Sequence, residues 1–251
     1  MKKSKKTCKF SKICFIIIRW LIKVFYPKIK VVGTENLNNE ATVFVGNHSQ
    51  MNGPICAEIY PPIKCQTWCA YQMMELKEVP PYAFKDFWSN KPKYIRWFFK
   101  ILSYIIAPIS VCIFNNANTI PVYHDARLIS TFKQTVNSLN ENEGIIIFPE
   151  CYDEYNNIVN RFQDRFIDVA KLYYKKTGKC INFVPMYIAP KLKTVYLGKP
   201  IVFSPEQPIE LEREKICNYL MEEITKIAKS LPTHTVVPYA NIPRKEYKTN
   251  I

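Results

Sequence analysis

Short runs of β-branched and aromatic residues punctuate this chain, among them Thr42-Val43-Phe44-Val45, Ile145-Ile146-Ile147 and the longer stretch from Ile181 to Ala189. The first two are too short for helices and do not alternate apolar with polar, so they read as strands covered on both faces. Helical patterns lie between such runs. Residues 125–140 begin on Asp125 as an N-cap and place apolar side chains at 128, 129, 132, 136 and 139, the spacing of one helix face. Further helices are expected over 161–179, which ends on a basic turn and Gly178, and over about 211–231. Strands alternating with helices predict an α/β fold with a mixed, largely parallel sheet flanked by helices, and with antiparallel strands late in the chain.

With 251 residues and 48% hydrophobic content the chain can bury one sizeable core, and a single domain is expected. The predicted division is a basic amphipathic helix over 1–28, the α/β domain over 29–235 and an extended arm over 236–251. Thirty-five Lys plus Arg against 21 Asp plus Glu give a formal charge of +14, which calls for an anionic partner. The N-terminus indicates which kind. Four lysines in Met1–Lys6 precede an apolar and aromatic run interrupted by Lys12, Arg19 and Lys23, which share one arc of a helical wheel. Those charges rule out a secretory h-region and a spanning helix, and they fit a helix lying in a membrane interface. The expected location is peripheral, on the cytoplasmic side, against anionic lipid. Nucleic acid is not an expected partner, since no nucleic-acid motif accompanies the charge.

A second apolar stretch, residues 94–114, is read as a helix kinked near Pro108, a core helix in the first reading and one dipping partly into a membrane in the alternative. The nine cysteines are scattered and mostly set in apolar segments, as reduced thiols used for packing. Cys65 and Cys69 lack the second Cys or His pair of a zinc site, and no metal is expected.

Val43-Phe44-Val45 delivers His48 into a polar turn before a short helix. In open α/β sheets that carboxyl edge is where ligands bind. Four blocks in order then carry a resemblance: Asn47-His48 followed by Gly53; Ile120-Pro121-Val122 followed by His124; Phe148-Pro149-Glu150; and Val184-Pro185. About 70, 28 and 35 residues separate them. The chain resembles the glycerolipid acyltransferases typified by 1-acylglycerol-3-phosphate acyltransferase, whose blocks are Asn-His-x4-Asp, Gly-x-Ile-Pro-Val-x-Arg, Phe-Pro-Glu-Gly-Thr-Arg and Val-Pro. It departs from them where Gly53 replaces the Asp, and where His124 and Asp153 replace the arginines.

The resemblance implies an acyltransferase fold and His48 as the general base that takes a proton from a lipid hydroxyl attacking an acyl thioester. Acyl carrier protein or coenzyme A would carry the acyl group as co-substrate, with no other cofactor. The acceptor would be a lysophospholipid or a related lipid. In the family the Asp orients the imidazole, and Gly53 cannot. Glu150 is the first candidate to do so, with Asp153, Glu154 or a backbone carbonyl behind it. The resemblance also places Phe148, Pro149 and Glu150 at the acceptor's phosphate, with His124 at one arginine position; Arg127, and Arg161 or Arg165, are the nearby candidates to stand in for the missing arginines. Asn47, Gly53, Pro121 and Pro185 support the motifs. His234 is read as peripheral. The alternative is a catalytically silent relative that binds lipid or a partner.

Overall fold

The computed structural model describes residues 9–38, 40–89 and 91–251, so the lysines of Met1–Lys6 lie outside the described residues. In chain order the elements are α1 (Lys9–Phe25), β1 (Lys30–Val32), β2 (Thr42–Gly46), α2 (Asn52–Ile59), β3 (Cys65–Ala70), α3 (Val79–Ala83), α4 (Arg96–Asn116) and β4 (Thr119–Val122). They continue as α5 (Leu128–Asn140), β5 (Gly144–Ile147), β6 (Glu150–Glu154), β7 (Asn160–Phe162), α6 (Asp168–Thr177), β8 (Asn182–Ala189), β9 (Thr194–Leu197), β10 (Ile201–Val202) and α7 (Ile209–Ser230). Two compact units result: Met1–Pro27 with Trp68–Thr131, and Lys28–Thr67 with Phe132–Ile251. They interleave along the chain instead of following its linear order.

In the larger unit the strand order is β1-β9-β8-β2-β5-β3. Strands β8, β2, β5 and β3 run parallel, and so do β1 and β9; β9 and β10 each pair antiparallel with β8. The sheet is mixed and largely parallel, and its antiparallel pairs fall late in the chain, as the sequence predicts. Every residue of β2, β5 and β8 is buried, which accounts for the unbroken apolar runs. The register Val45↔Ile147 and Val45↔Pro185 brings the carboxyl ends of these three strands to one edge. Helix α7 packs on β8 through a stripe that includes Ile216, Leu220 and Ile224.

The expected helix over 161–179 starts later, at Asp168, because residues 160–162 pair with β6 in a two-stranded hairpin. It ends on Gly178, whose left-handed φ of 70° and N–H to the Tyr174 carbonyl, 2.8 Å, close the last turn. The segment 236–251 is not an open arm. Its ends are tied by the Thr235–Thr249 bridge, and the Val236 N–H donates to the Lys248 carbonyl at 2.9 Å.

In the smaller unit α4 departs from the core helix expected of residues 94–114. Only Ser103, Ala107 and Ser110 are buried, a stripe at i, i+4 and i+7. Ala107 meets Val79 and Ala83, and the Ser110 hydroxyl donates to the Met73 carbonyl at 2.9 Å. The large apolar side chains Trp97, Phe98, Ile101, Tyr104, Ile105 and Ile109 face outward. The helix is long and apolar enough to cross a membrane by length and composition. Helix α1 packs on α4, where the Asn116 amide donates to the Ser11 hydroxyl at 2.7 Å, and α1 buries no residue fully. Phe10, Ile13, Ile16, Ile17, Trp20 and Phe25 are all more than half exposed.

Candidate functional site

Asn47 leaves β2 and extends its ladder with a side chain. Its amide donates to the Ile188 carbonyl at 3.1 Å, and its carbonyl oxygen accepts the Ile188 N–H at 2.7 Å. A side-chain amide thus makes the pair of bonds that the next peptide would have made. Residue 48 leaves the sheet from that fixed point.

The main chain of His48 is held on both sides. Its N–H donates to Glu150 Oε2 at 2.5 Å, and its carbonyl accepts the Gly53 N–H at 3.0 Å. Glu150 Oε1 accepts the Asn160 N–H at 2.9 Å. Glu150 therefore does engage His48, through the peptide N–H, and each of its two oxygens receives a backbone donor. Burial pushes its carboxyl up to about 7, although both backbone hydrogen bonds favour the ionised form.

After His48 the chain turns sharply. Ser49 and Gln50 take left-handed φ angles of 48° and 53°, a conformation that costs a non-glycine residue on the order of 1 kcal/mol. The Ser49 hydroxyl is buried with no hydrogen-bond partner. The Asn52 N–H and side-chain amide both donate to the Ser49 carbonyl, at 3.1 and 3.0 Å, and α2 begins.

Gly53 lies one turn into that geometry. A Cβ built there would overlap the His48 carbonyl oxygen, and would stand 3.0 Å from its carbon and 3.2 Å from Phe148 Cε1. The residue that closes the turn on His48 must lack a side chain, so this backbone has no room for an orienting aspartate at position 53.

Two rings meet the imidazole edge-on: Phe148 at 5.4 Å and 69°, and Tyr239 at 5.8 Å and 85°. Phe148 follows β5 directly. Tyr239 comes from the closed loop 236–248, which also reaches Gln50. The Gln50 amide donates to the Ala240 carbonyl, and the Tyr247 hydroxyl donates to Gln50 Oε1, both at 3.0 Å. Tyr239, Tyr247, Gln50 and Asn160 carry no motif, and no local sequence signal marks them. Tyr239 meets His48, Tyr247 meets Gln50 and Asn160 meets Glu150 through tertiary contacts.

His234, read as peripheral, is buried and anchors that loop. Its Nε2 lies 2.8 Å from the Tyr187 hydroxyl and its Nδ1 2.7 Å from the Pro232 carbonyl. A carbonyl only accepts, so Nδ1 carries a hydrogen. Asn250, 1% exposed, accepts the His234 N–H at 2.8 Å and donates to the Ala228 carbonyl at 2.7 Å.

The remaining motif residues divide between the units. Pro149 and Pro185 are buried in the larger one, where the Pro149 carbonyl accepts the Gln163 N–H at 2.9 Å and the Pro185 carbonyl the Gly198 N–H at 2.8 Å. Pro121, His124 and Arg127 belong to the smaller one. Pro121 is buried, and its carbonyl accepts the Thr131 hydroxyl at 2.7 Å. His124 is exposed. The Arg127 guanidinium binds Asp125 through Nε at 3.0 and 3.1 Å and through a terminal nitrogen at 2.7 Å, while lying 4.6 Å over Tyr71 and 4.3 Å over Tyr123. Its side-chain bonds hold the Asp125 carboxyl down to about 2. The fork that would receive a phosphate is occupied by a carboxylate of its own chain.

No protein-family model matches the chain, and no curated protein matches its sequence. Among solved structures, it is similar to the crystal structure of the 1-acyl-sn-glycerophosphate (LPA) acyltransferase PlsC from Thermotoga maritima, with 15% sequence identity and a TM-score of 0.41 over 85% of this chain and 78% of that one.

Proposed function

We propose that this chain is a membrane-peripheral acyltransferase in which His48 acts as general base. One observation carries the reading. At the carboxyl edge of the parallel strands, His48 is fixed through its peptide N–H by Glu150 and through its carbonyl by Gly53, while Phe148 and Tyr239 each meet its ring at a steep angle. A catalytic side chain has to be held in this way, within a fraction of an ångström of one pose.

In the reaction, a lipid hydroxyl oxygen attacks the carbonyl carbon of an acyl thioester. The new C–O bond forms as the C–S bond breaks. The hydroxyl proton passes to a His48 ring nitrogen and then to the departing thiolate, so charge and atoms balance. The thioester belongs to acyl carrier protein or coenzyme A, and the acceptor is a lysophospholipid or related lipid. With Arg127 bound to Asp125, a glycerol phosphate headgroup loses one expected partner. The acceptor panel should therefore include lipids without a terminal phosphate. Turnover by wild type, and its loss in His48→Ala with the fold intact, is the expected result. No turnover across the panel, or turnover indifferent to His48, sinks the reading.

The membrane surface is assigned to α1 with α4. Their exposed apolar and aromatic faces exceed what a soluble surface usually carries, and Lys12 and Lys23 are exposed on α1. Co-sedimentation with phosphatidylglycerol vesicles should be abolished by Ile16→Glu with Trp20→Glu. Binding that persists in this double variant removes α1 from the contact.

The absence of space for an acid at position 53 favours a second reading, a silent relative that binds lipid without transferring an acyl group. It predicts acyl-chain binding unchanged by His48→Ala and no turnover.

A further inference from the structure

Two consecutive left-handed residues, Ser49 and Gln50, turn the chain after His48, and neither is a glycine. Such a conformation persists only where surrounding bonds hold it. Some of those bonds lie inside the turn: the Asn52 N–H and side-chain amide donate to the Ser49 carbonyl, and the Gly53 N–H donates to the His48 carbonyl. The two left-handed side chains differ in what they add. The Ser49 hydroxyl finds no partner among the described residues, whereas the Gln50 amide is held at both ends. Its nitrogen donates to the Ala240 carbonyl and its oxygen accepts the Tyr247 hydroxyl, both at 3.0 Å, across 190 and 197 positions of sequence.

The segment that supplies both partners is braced in its own right. At its base the His234 N–H donates to the Asn250 side-chain carbonyl at 2.8 Å, and the Asn250 N–H returns a bond to the His234 carbonyl at 3.2 Å. The Asn250 amide also reaches the Ala228 carbonyl in the last turn of α7 at 2.7 Å, so the base is tied to the core. Between the ends, Pro238 and Pro243 preset the backbone, and a short turn over Arg244–Glu246 closes with the Glu246 N–H on the Pro243 carbonyl at 2.9 Å. Ala240 and Tyr247 are thereby presented at a set spacing. A grip on both ends of one amide fixes its direction as well as its distance.

We propose that the segment 236–250 is a clasp on the turn of residues 48–53, and that Gln50 and Tyr247 are positioning residues which keep this turn in its left-handed form and so fix the main chain of His48. That the clasp serves catalysis rests on the reading of His48 as the base; that it holds the turn does not. Amide ¹H–¹⁵N signals of the full chain test it. Tyr247→Phe removes one hydroxyl, far in sequence from the turn, and keeps the ring. In this variant the His48 and Gly53 amide protons should move upfield as their bonds to Glu150 and to the His48 carbonyl loosen, while the Val236 and Asn250 signals at the base stay in place. Gln50→Ala should move the same two signals, and adding Tyr247→Phe to it should change nothing more, since the two substitutions undo one grip. In an acyl-transfer assay each single variant should lower kcat on the order of 10-fold with KM nearly constant, the cost of a displaced catalytic group.

His48 and Gly53 signals that Tyr247→Phe leaves in place overturn the proposal. So does a double variant that displaces them further than Gln50→Ala alone, which would make the two contacts independent. A rise in KM at constant kcat would make Gln50 a substrate contact and overturn its positioning role. A wild-type protein with no turnover would overturn the acyl-transfer reading alone, and the amide signals would still decide whether the clasp holds the turn.

Discussion

Glu150 belongs to a motif block and Asp125 stands beside one, and their surroundings drive them in opposite directions. Glu150 is 4% exposed and faces two peptide N–H groups, and burial pushes its carboxyl up to about 7. Asp125 is half exposed and faces a guanidinium, which holds it down to about 2. Two uncharged donors are outweighed by desolvation, whereas an exposed cation meets little desolvation to oppose it. The buried acid is thus structural, because removing it orphans peptide groups. The exposed one is local, since water can replace what it gives.

The largest effect expected of this contrast is from Glu150→Ala. It strips the His48 and Asn160 N–H groups of their acceptors and leaves a void, at a cost of about 4 kcal/mol in a denaturant titration. A loss under about 1 kcal/mol would place Glu150 with Asp125 as a surface group and break the comparison.

Acidity sharpens the same point. The carboxyl of Glu150 is raised from 4.5 to about 7, so the folded state holds its proton where the unfolded state has lost it. The group's contribution to stability is fully present below about 4.5 and is lost as pH rises through about 7, a change of roughly 3 kcal/mol. Melting curves of wild type and Glu150→Gln across this window should differ in slope, with the variant the flatter. Parallel slopes would mean that the carboxyl titrates as it does in the unfolded chain.

Gly53→Asp comes next. An acid side chain at this position forces a Cβ into the His48 carbonyl, so the variant should lose about 2–3 kcal/mol and gain no turnover. A Gly53→Asp protein that melts like wild type and turns over faster would show that the turn can open to admit an acid.

Smaller and of opposite sign, Ser49→Gly should stabilise by about 1 kcal/mol, because it relieves a left-handed φ of 48° and removes a buried hydroxyl without a partner. If activity falls as the melting temperature rises, the strain serves the pose of His48. Least of all, Asp125→Ala should leave the melting temperature where it was, while freeing the Arg127 fork for an anion. Tighter binding of inorganic phosphate by this variant, followed by calorimetry, would show that Asp125 is what closes that fork.

The sheet is legible in the sequence because β2, β5 and β8 are buried on both faces, which leaves an unbroken apolar record. Helix α4 is not, because apolar content does not say which way a helix faces. Its inward stripe is Ser103, Ala107 and Ser110, and hydropathy gives such small residues little weight. The start of the 161–179 helix is displaced by a pairing with β6 that only the folded chain supplies. At the site, Asn47, His48 and Glu150 can be named from motif spacing, but their bonds cannot. The sequence shows that position 53 lacks an acid, and only the backbone shows why. Tyr239 lies 191 positions beyond His48 and has no signature to find.

Asn47 has a further consequence, which concerns how the protein breathes. The Ile188 N–H sits in β8, yet its acceptor is a side chain in the turn, Asn47 Oδ1. Its exchange with deuterium should therefore follow local opening of the turn instead of the rupture of the sheet. Under native conditions the Ile188 amide should exchange faster than its strand neighbours Val184 and Met186, and so provide a clock for the motion of residues 47–53 inside an otherwise closed strand.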